Sequence, residues 1–137
     1  MVQIEVKYEG NLSTRCIHLE NRAEIVTDAP KDNHGRGEMF SPTDLLAVSL
    51  GSCLLTIMGI VAEKLKVDLS GSKALVTKEM SKDLPRRIVK IQVLFECPRQ
   101  FSSEITQKLE VASKGCPVHH SLHPELKQEI IFTWGVS

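Results

Sequence analysis

The sequence has few aromatic residues and no excess of charge of either sign. Phenylalanine, tyrosine and tryptophan make up 4% of the 137 residues, and 17 basic residues balance 17 acidic ones. Binding to a nucleic-acid backbone requires a basic surface, and binding of single strands also uses stacked aromatic side chains. We therefore expect no nucleic-acid partner.

We also expect no secretory leader, because Glu5 and Lys7 interrupt the apolar residues at the start of the sequence. We therefore expect a cytoplasmic protein. In that reducing compartment, the four cysteines are more often free, catalytic or metal-bound than joined in structural disulfides. The length suits one domain, residues 1–137, with a core of its own.

An uncharged run covers residues 45–62 and just reaches the length of a membrane span. Small and polar residues dilute it, and Asp44 and Glu63 flank it. We therefore expect no membrane contact and predict a helix buried on all sides, with Ser41 as its N-cap and Pro42 in its first turn. A chain this short can hardly surround such a helix, which predicts a homodimer with a shared core.

Apolar periodicity and turn residues predict the remaining elements. The predicted strands cover residues 2–8, 13–20, 23–27, 73–80, 87–96 and 129–134. The predicted helices run from Ser41 to about residue 66, from a cap at Ser102 or Ser103 to Lys114, and from Cys116 to His123. This order of elements predicts the α+β class.

Two of the cysteines have surroundings that indicate redox chemistry. Cys53 lies inside the uncharged helix, where apolar burial disfavours a thiolate, so a reactive Cys53 needs a cation from elsewhere. An inert buried side chain is the alternative. Cys116 precedes Pro117 as a predicted N-cap, where backbone N–H groups favour a thiolate. Cys16 and Cys97 lack such surroundings and are interpreted as structural.

Arg15 is the candidate cation, because it lies in phase with Ile17 and Leu19 and is predicted to point to an apolar side. An arginine there needs an anion, either the Cys53 thiolate or the carboxylate of Asp44. Arg36 is the competing cation. An Arg15 that reaches solvent along its aliphatic stem is the alternative.

A metal site is the alternative use of the second cysteine. Cys116, His119, His120 and His123 have the spacing of one helical face, and both residue types bind zinc. Pro124 interrupts that helix, and no matching cysteine pair lies elsewhere. We therefore expect no metal and no cofactor.

Three motifs together resemble the OsmC/Ohr family of osmotically inducible and organic-hydroperoxide-resistance proteins. They are Ser41–Leu46, Leu50–Cys53 and Gly115–Val118. The resemblance implies an OsmC-like fold, with antiparallel sheets around long buried central helices in an intertwined homodimer. It also implies a thiol-dependent peroxidase that reduces organic hydroperoxides, and hydrogen peroxide as a further substrate, in oxidative stress defence.

In this resemblance, Cys53 is the peroxidatic residue and Cys116 the resolving one, and a dithiol such as a dihydrolipoyl group restores both. Arg15 would stabilise the thiolate. The peroxidase branches carry Asn-Pro-Glu at the helix start, whereas Thr43 stands here in place of the glutamate, with Asp44 beside it. The alternative is a non-catalytic protein that binds a small apolar ligand. Its predicted wall consists of Phe40, Leu54, Ile57 and Met58.

Overall fold

The computed structural model describes residues 1–136, and the chain divides into two compact units between Leu46 and Ala47. The strands are β1 (Ile4–Gly10), β2 (Ser13–His18), β3 (Glu24–Asp28), β4 (Lys73–Met80), β5 (Ile88–Cys97) and β6 (Lys127–Trp134). The helices are α1 (Pro42–Lys64), α2 (Ser103–Ser113) and α3 (Pro117–Ser121), with a short 3-10 turn at Lys31–Asn33. The predicted α+β class is confirmed.

The first unit contains the antiparallel sheet β1-β2-β3. Its register places Arg15 between Lys7 of β1 and Val26 of β3. Cross-strand neighbours share a face of the sheet, so Arg15 lies on the face to which β1 contributes its charged side chains. The predicted apolar surroundings of Arg15 are therefore wrong: the phase within β2 was correct, but the neighbouring strands decide which face is apolar.

The apolar face of this sheet is open within the first unit. Ile4, Val6 and Tyr8 are 59%, 62% and 63% exposed, although they alternate with charged residues as a half-buried strand would. Cys16 lies on the same face opposite Val6, and Ile25 lies opposite Cys16 on its other side. Three strands without a covering layer leave this apolar surface in solvent.

The second unit contains the sheet β4-β5-β6 and most of α1. Strands β4 and β5 pair antiparallel, whereas β5 and β6 pair in parallel, because α2 and α3 form the crossover between them. One face of this sheet carries the core. Its buried apolar members are Ala47, Leu50, Leu54, Met58, Ala62, Ile88, Ile91, Val93, Phe95, Cys97, Leu109, Cys116 and Leu126.

Helix α1 contributes to this core one row of side chains spaced four residues apart. The row consists of Leu50, Leu54, Met58 and Ala62. Beside it, a Cβ atom on Gly51 would lie 2.7 Å from Cγ2 of Val76, so the glycine allows the helix to lie close to β4.

The opposite face of α1 is open, and the prediction of burial on all sides is not met within one chain. Val48 is 43% exposed and Ile60 46% exposed, and 33% of the most apolar 18-residue window is buried. The reason is geometric, because a three-stranded sheet covers only one side of a helix. By length and composition α1 could cross a membrane, but that is weak evidence, since core helices of soluble proteins pass the same test.

The scarce aromatic residues are concentrated where α2 meets the second sheet. The ring centroid of Phe95 lies 5.7 Å from that of Phe132 and 5.0 Å from that of Trp134, and Phe101 lies 5.9 Å from Trp134. The Trp134 Nε1–H also donates a hydrogen bond to Glu110 of α2 at 2.9 Å. These contacts fix α2, and with it the start of the segment that leads to Cys116.

Candidate functional site

The structure brings together the two thiols that the sequence singled out, 63 residues apart in the chain. The side chain of Cys53, on α1, lies close enough to that of Cys116, at the start of α3, to influence its ionisation. The two thiols differ in access, because Cys116 is 1% exposed and Cys53 is partly exposed. All four cysteines are free.

Cys116 is the N-cap of α3, as predicted. Its Sγ atom accepts a hydrogen bond from the backbone N–H of His119 at 3.3 Å, and Pro117 occupies the first helical position. The backbone N–H of Val118 also acts on this sulfur. The N-cap position therefore supplies two donors to a sulfur that has no contact with bulk water.

These donors do not decide the protonation state of Cys116. Burial raises the pKa of the Cys116 thiol most strongly, and the neighbouring Cys53 side chain raises it further. The backbone N–H groups of His119 and Val118 lower this pKa, but by less. The predicted effect of the helix start has the right direction, because its backbone N–H groups lower the pKa of Cys116, but desolvation outweighs these donors. Cys116 holds its proton at neutral pH.

Asp44 caps the start of α1. Its Oδ2 atom accepts the backbone N–H of Ser41 at 2.8 Å, and its own backbone N–H donates to the Ser41 hydroxyl at 3.1 Å. These reciprocal bonds form the predicted capping box, in which a side chain and a backbone group satisfy each other at the helix end. The geometry thus gives Asp44 a structural role, and its role in a redox site stays a prediction.

Arg15 is held by two carboxylates of its own unit. Its Nε atom lies 3.4 Å from Glu9 and its Nη1 atom lies 2.8 Å from Glu24, with 43% of the side chain exposed. A guanidinium has five N–H donors, so these two ion pairs do not exhaust its capacity. The competing cation, Arg36, lies exposed in the loop before α1. Activation of Cys53 by Arg15 or by Arg36 stays a prediction.

The geometry bears differently on the two alternative sites. Among residues 1–136, no three His, Cys, Asp or Glu side chains are grouped as a metal ion requires, which includes the set of Cys116 and the three histidines. Of the predicted wall of an apolar ligand cavity at a dimer interface, Leu54 and Met58 pack in the core at 1% and 0% exposure, whereas Phe40 is 55% exposed and Ile57 is partly exposed. That cavity stays a prediction.

Gln128 is a site neighbour that the sequence reasoning missed. It lies on β6 and its side-chain amide contacts His119, the residue whose N–H reaches Cys116. A signal was present, because Gln128 is in phase with the apolar residues Ile130, Phe132 and Trp134. A polar residue on the core-facing side of a strand requires a specific partner. The predicted strand began at residue 129 and so excluded it.

Comparisons with known proteins give relatives of the whole fold. The family model for OsmC-like protein matches residues 35–130. A proposed osmotic stress induced and detoxification response protein from Psychrobacter arcticus 273-4 is 43% identical, with a TM-score of 0.92, and the match covers 97% of this chain and 96% of that one. The comparison with curated proteins gives no match.

More distant solved structures share the fold. An organic hydroperoxide resistance protein OsmC from Legionella pneumophila has a TM-score of 0.78 at 11% identity, with 97% of this chain and 96% of that chain covered. An organic hydroperoxide resistance protein from Elizabethkingia anophelis has a TM-score of 0.77 at 13% identity, with 97% and 95% covered. The predicted OsmC-like fold is thus confirmed.

The raised pKa of Cys116 predicts how stability depends on pH. Below the pKa of an unfolded thiol, about 8.5, the folded and unfolded chains both hold this proton, and the stabilisation is complete. At higher pH the unfolded chain loses the proton first, so the free energy of unfolding falls until pH passes the folded pKa. Urea unfolding of the reduced protein between pH 7 and pH 10 should show this fall, and Cys116→Val should show less of it. Equal slopes in both proteins would contradict the assignment.

Proposed function

Because the chain belongs to the OsmC-like protein family, we propose that it is a thiol-dependent peroxidase that reduces organic hydroperoxides through Cys53 and Cys116. Relatives of the same fold carry the name of organic hydroperoxide resistance proteins. The observation that carries the proposal is the proximity of these two free thiols, which lie 63 residues apart in the chain. Hydrogen peroxide is a further substrate in this proposal, and oxidative stress defence in the cytoplasm is its setting.

The unequal surroundings of the two thiols support a division of roles. Two thiolates in contact repel each other, so one thiol of the pair ionises first. Burial and the contact with Cys53 raise the pKa of Cys116, which leaves the proton on Cys116. Cys53 is the better exposed of the two, so a peroxide can reach it more readily. We therefore assign the peroxidatic role to Cys53 and the resolving role to Cys116.

The proposed reaction has three balanced steps. The Cys53 thiolate attacks the terminal oxygen of the hydroperoxide, the O–O bond breaks, and an alkoxide leaves and takes up a proton to become the alcohol. Cys116 then attacks the sulfur of the Cys53 sulfenic acid, forming the disulfide and releasing water. Finally a dithiol of the dihydrolipoyl type reduces this disulfide to two thiols and is itself oxidised to a disulfide.

Arg15 and Asp44 complete the proposal as supporting residues. A guanidinium near a sulfur favours the thiolate form, and Arg15 keeps N–H donors beyond those used by Glu9 and Glu24. Thr43 occupies the place of the glutamate in the peroxidase branches, so the carboxylate of Asp44 is the nearest substitute partner for the arginine. No cofactor enters this mechanism, because the two sulfur atoms carry the electrons.

A homodimer is also part of the proposal, built from single OsmC-like domains of residues 1–137. The open face of α1 carries a row of uncharged residues spaced four apart. They are Val48, Ser52, Thr56 and Ile60. The sheet of the first unit leaves Ile4, Val6 and Tyr8 about three-fifths exposed. A second copy of the chain would cover such apolar surfaces and remove them from water.

The activity is tested with cumene hydroperoxide and dihydrolipoamide as the two substrates. Consumption of the peroxide should depend on enzyme concentration, and Cys53→Ser should reduce it to the uncatalysed rate, because no other residue takes the peroxidatic role. Cys116→Ser should still give one oxidation per chain but no turnover. Cys97→Ser, a change at a cysteine outside the pair, is the matched control and should retain turnover. Full turnover by the Cys53→Ser variant would contradict the proposal.

The dimer is tested by placing a charge on the open face of α1. Ile60→Glu should convert the protein to monomers in light scattering, because a carboxylate would be buried between apolar surfaces. Leu75→Glu is the matched control, since Leu75 is 65% exposed on β4 and lies outside α1. A wild-type monomer, or dissociation caused by Leu75→Glu and not by Ile60→Glu, would show that this face is not the interface.

A further inference from the structure

The side chain of Gln128 makes two contacts with a single residue, His119. Its Nε2 atom donates to the backbone oxygen of His119 at 3.1 Å, and its Oε1 atom lies 2.5 Å from the ring Nδ1 of His119. A carbonyl oxygen can only accept, so the amide nitrogen must face it and the amide oxygen must face the ring. The His119 ring therefore carries its proton on Nδ1 and donates it to Gln128.

His119 is in turn bound to the sulfur of Cys116 through its backbone N–H, at 3.3 Å. Helix α3 contains only five residues, Pro117–Ser121, and helices this short do not persist without tertiary contacts. Gln128 supplies such contacts from β6, a strand paired along its length with β5. A continuous series of hydrogen bonds thus runs from the rigid sheet, through His119, to the Cys116 sulfur.

We propose that Gln128 is a positioning residue for Cys116, which acts by holding His119 so that its backbone N–H stays directed at the Cys116 sulfur during disulfide closure. The proposal rests on the function proposed above. In the closure step Cys116 loses its proton and the thiolate attacks the sulfur of the Cys53 sulfenic acid. The S–S bond forms, the S–O bond breaks, and the hydroxide takes up a proton to become water.

The hydrogen bond from His119 matters most at the moment when Cys116 is negative. An N–H donor stabilises a thiolate more than a thiol, and the His119 and Val118 N–H groups lower the pKa of Cys116 while burial raises it. Without the His119 contact, the pKa of Cys116 would rise, because burial and Cys53 raise it and one of the groups that lower it would be lost. The thiolate would then be rarer at neutral pH and would attack more slowly. Formation of the sulfenic acid on Cys53 would not change.

Two kinetic steps and one pH profile test the proposal. In stopped-flow experiments with cumene hydroperoxide, Gln128→Leu should slow disulfide closure by roughly three- to tenfold, about the net effect of one ordinary hydrogen bond. The rate of Cys53 oxidation should stay as in the wild type. In a Cys53→Ser background, Gln128→Leu should also move the pH midpoint of Cys116 alkylation upward.

Variants of His119 keep the test decisive if Gln128→Leu does not fold. His119→Asn retains a donor at the position of Nδ1 and should close the disulfide at nearly the wild-type rate, whereas His119→Leu removes it and should be slow. Gln92→Leu is the matched control, because Gln92 makes its side-chain hydrogen bond to Glu129 on the opposite face of the same sheet. It should change neither step.

The outcomes separate this proposal from the peroxidase itself. Unchanged closure and an unchanged alkylation midpoint in Gln128→Leu would overturn the positioning role. Equal slowing by Gln92→Leu or by His119→Asn would overturn it as well, since the effect would then be general to the sheet or to α3. If the wild type forms no sulfenic acid, the peroxidase proposal fails, and the alkylation midpoint in the Cys53→Ser background still decides the role of Gln128.

Discussion

The proximity of Cys53 and Cys116 is the constraint on which the account of this protein depends. Two thiols in contact cannot both ionise near neutral pH, so their surroundings decide which of them becomes the nucleophile. Burial raises the pKa of Cys116 by more than two backbone donors lower it, so Cys116 keeps its proton at neutral pH. The same proximity brings the second sulfur into position before any peroxide arrives, so no large movement is needed to form a disulfide.

In the second unit, α1 positions Cys53, and the crossover between β5 and β6 positions Cys116. Helix α1 packs one row of side chains on the sheet and approaches β4 through Gly51, which fixes the height of Cys53 above the strands. The parallel pairing of β5 and β6 requires a crossover, and the crossover carries α2, α3 and Cys116 back over the same core. The aromatic cluster around Trp134 anchors α2, and Gln128 anchors α3.

Short-range sequence patterns predicted much of this arrangement. Features that depend on contacts between distant parts of the chain could not be predicted from such patterns. Ser41 with Asp44, and Cys116 with Pro117, are short-range caps whose geometry follows from spacing alone. The face on which Arg15 lies depends on the register with neighbouring strands, which no pattern within β2 contains. The pKa of Cys116 depends on burial by distant residues. The helix-start signal alone therefore predicted the effect of the backbone donors but not the larger, opposite effect of burial.

The most direct test of the account is the pH dependence of alkylation of each cysteine in the reduced wild-type protein, followed residue by residue with mass spectrometry. The midpoint in pH, rather than the absolute rate, separates ionisation from access to the reagent. The account predicts that the alkylation midpoint of Cys116 lies above the pKa of an unfolded thiol, about 8.5, because burial and the neighbouring Cys53 raise the pKa of Cys116. A midpoint at or below that of an unfolded thiol would contradict it.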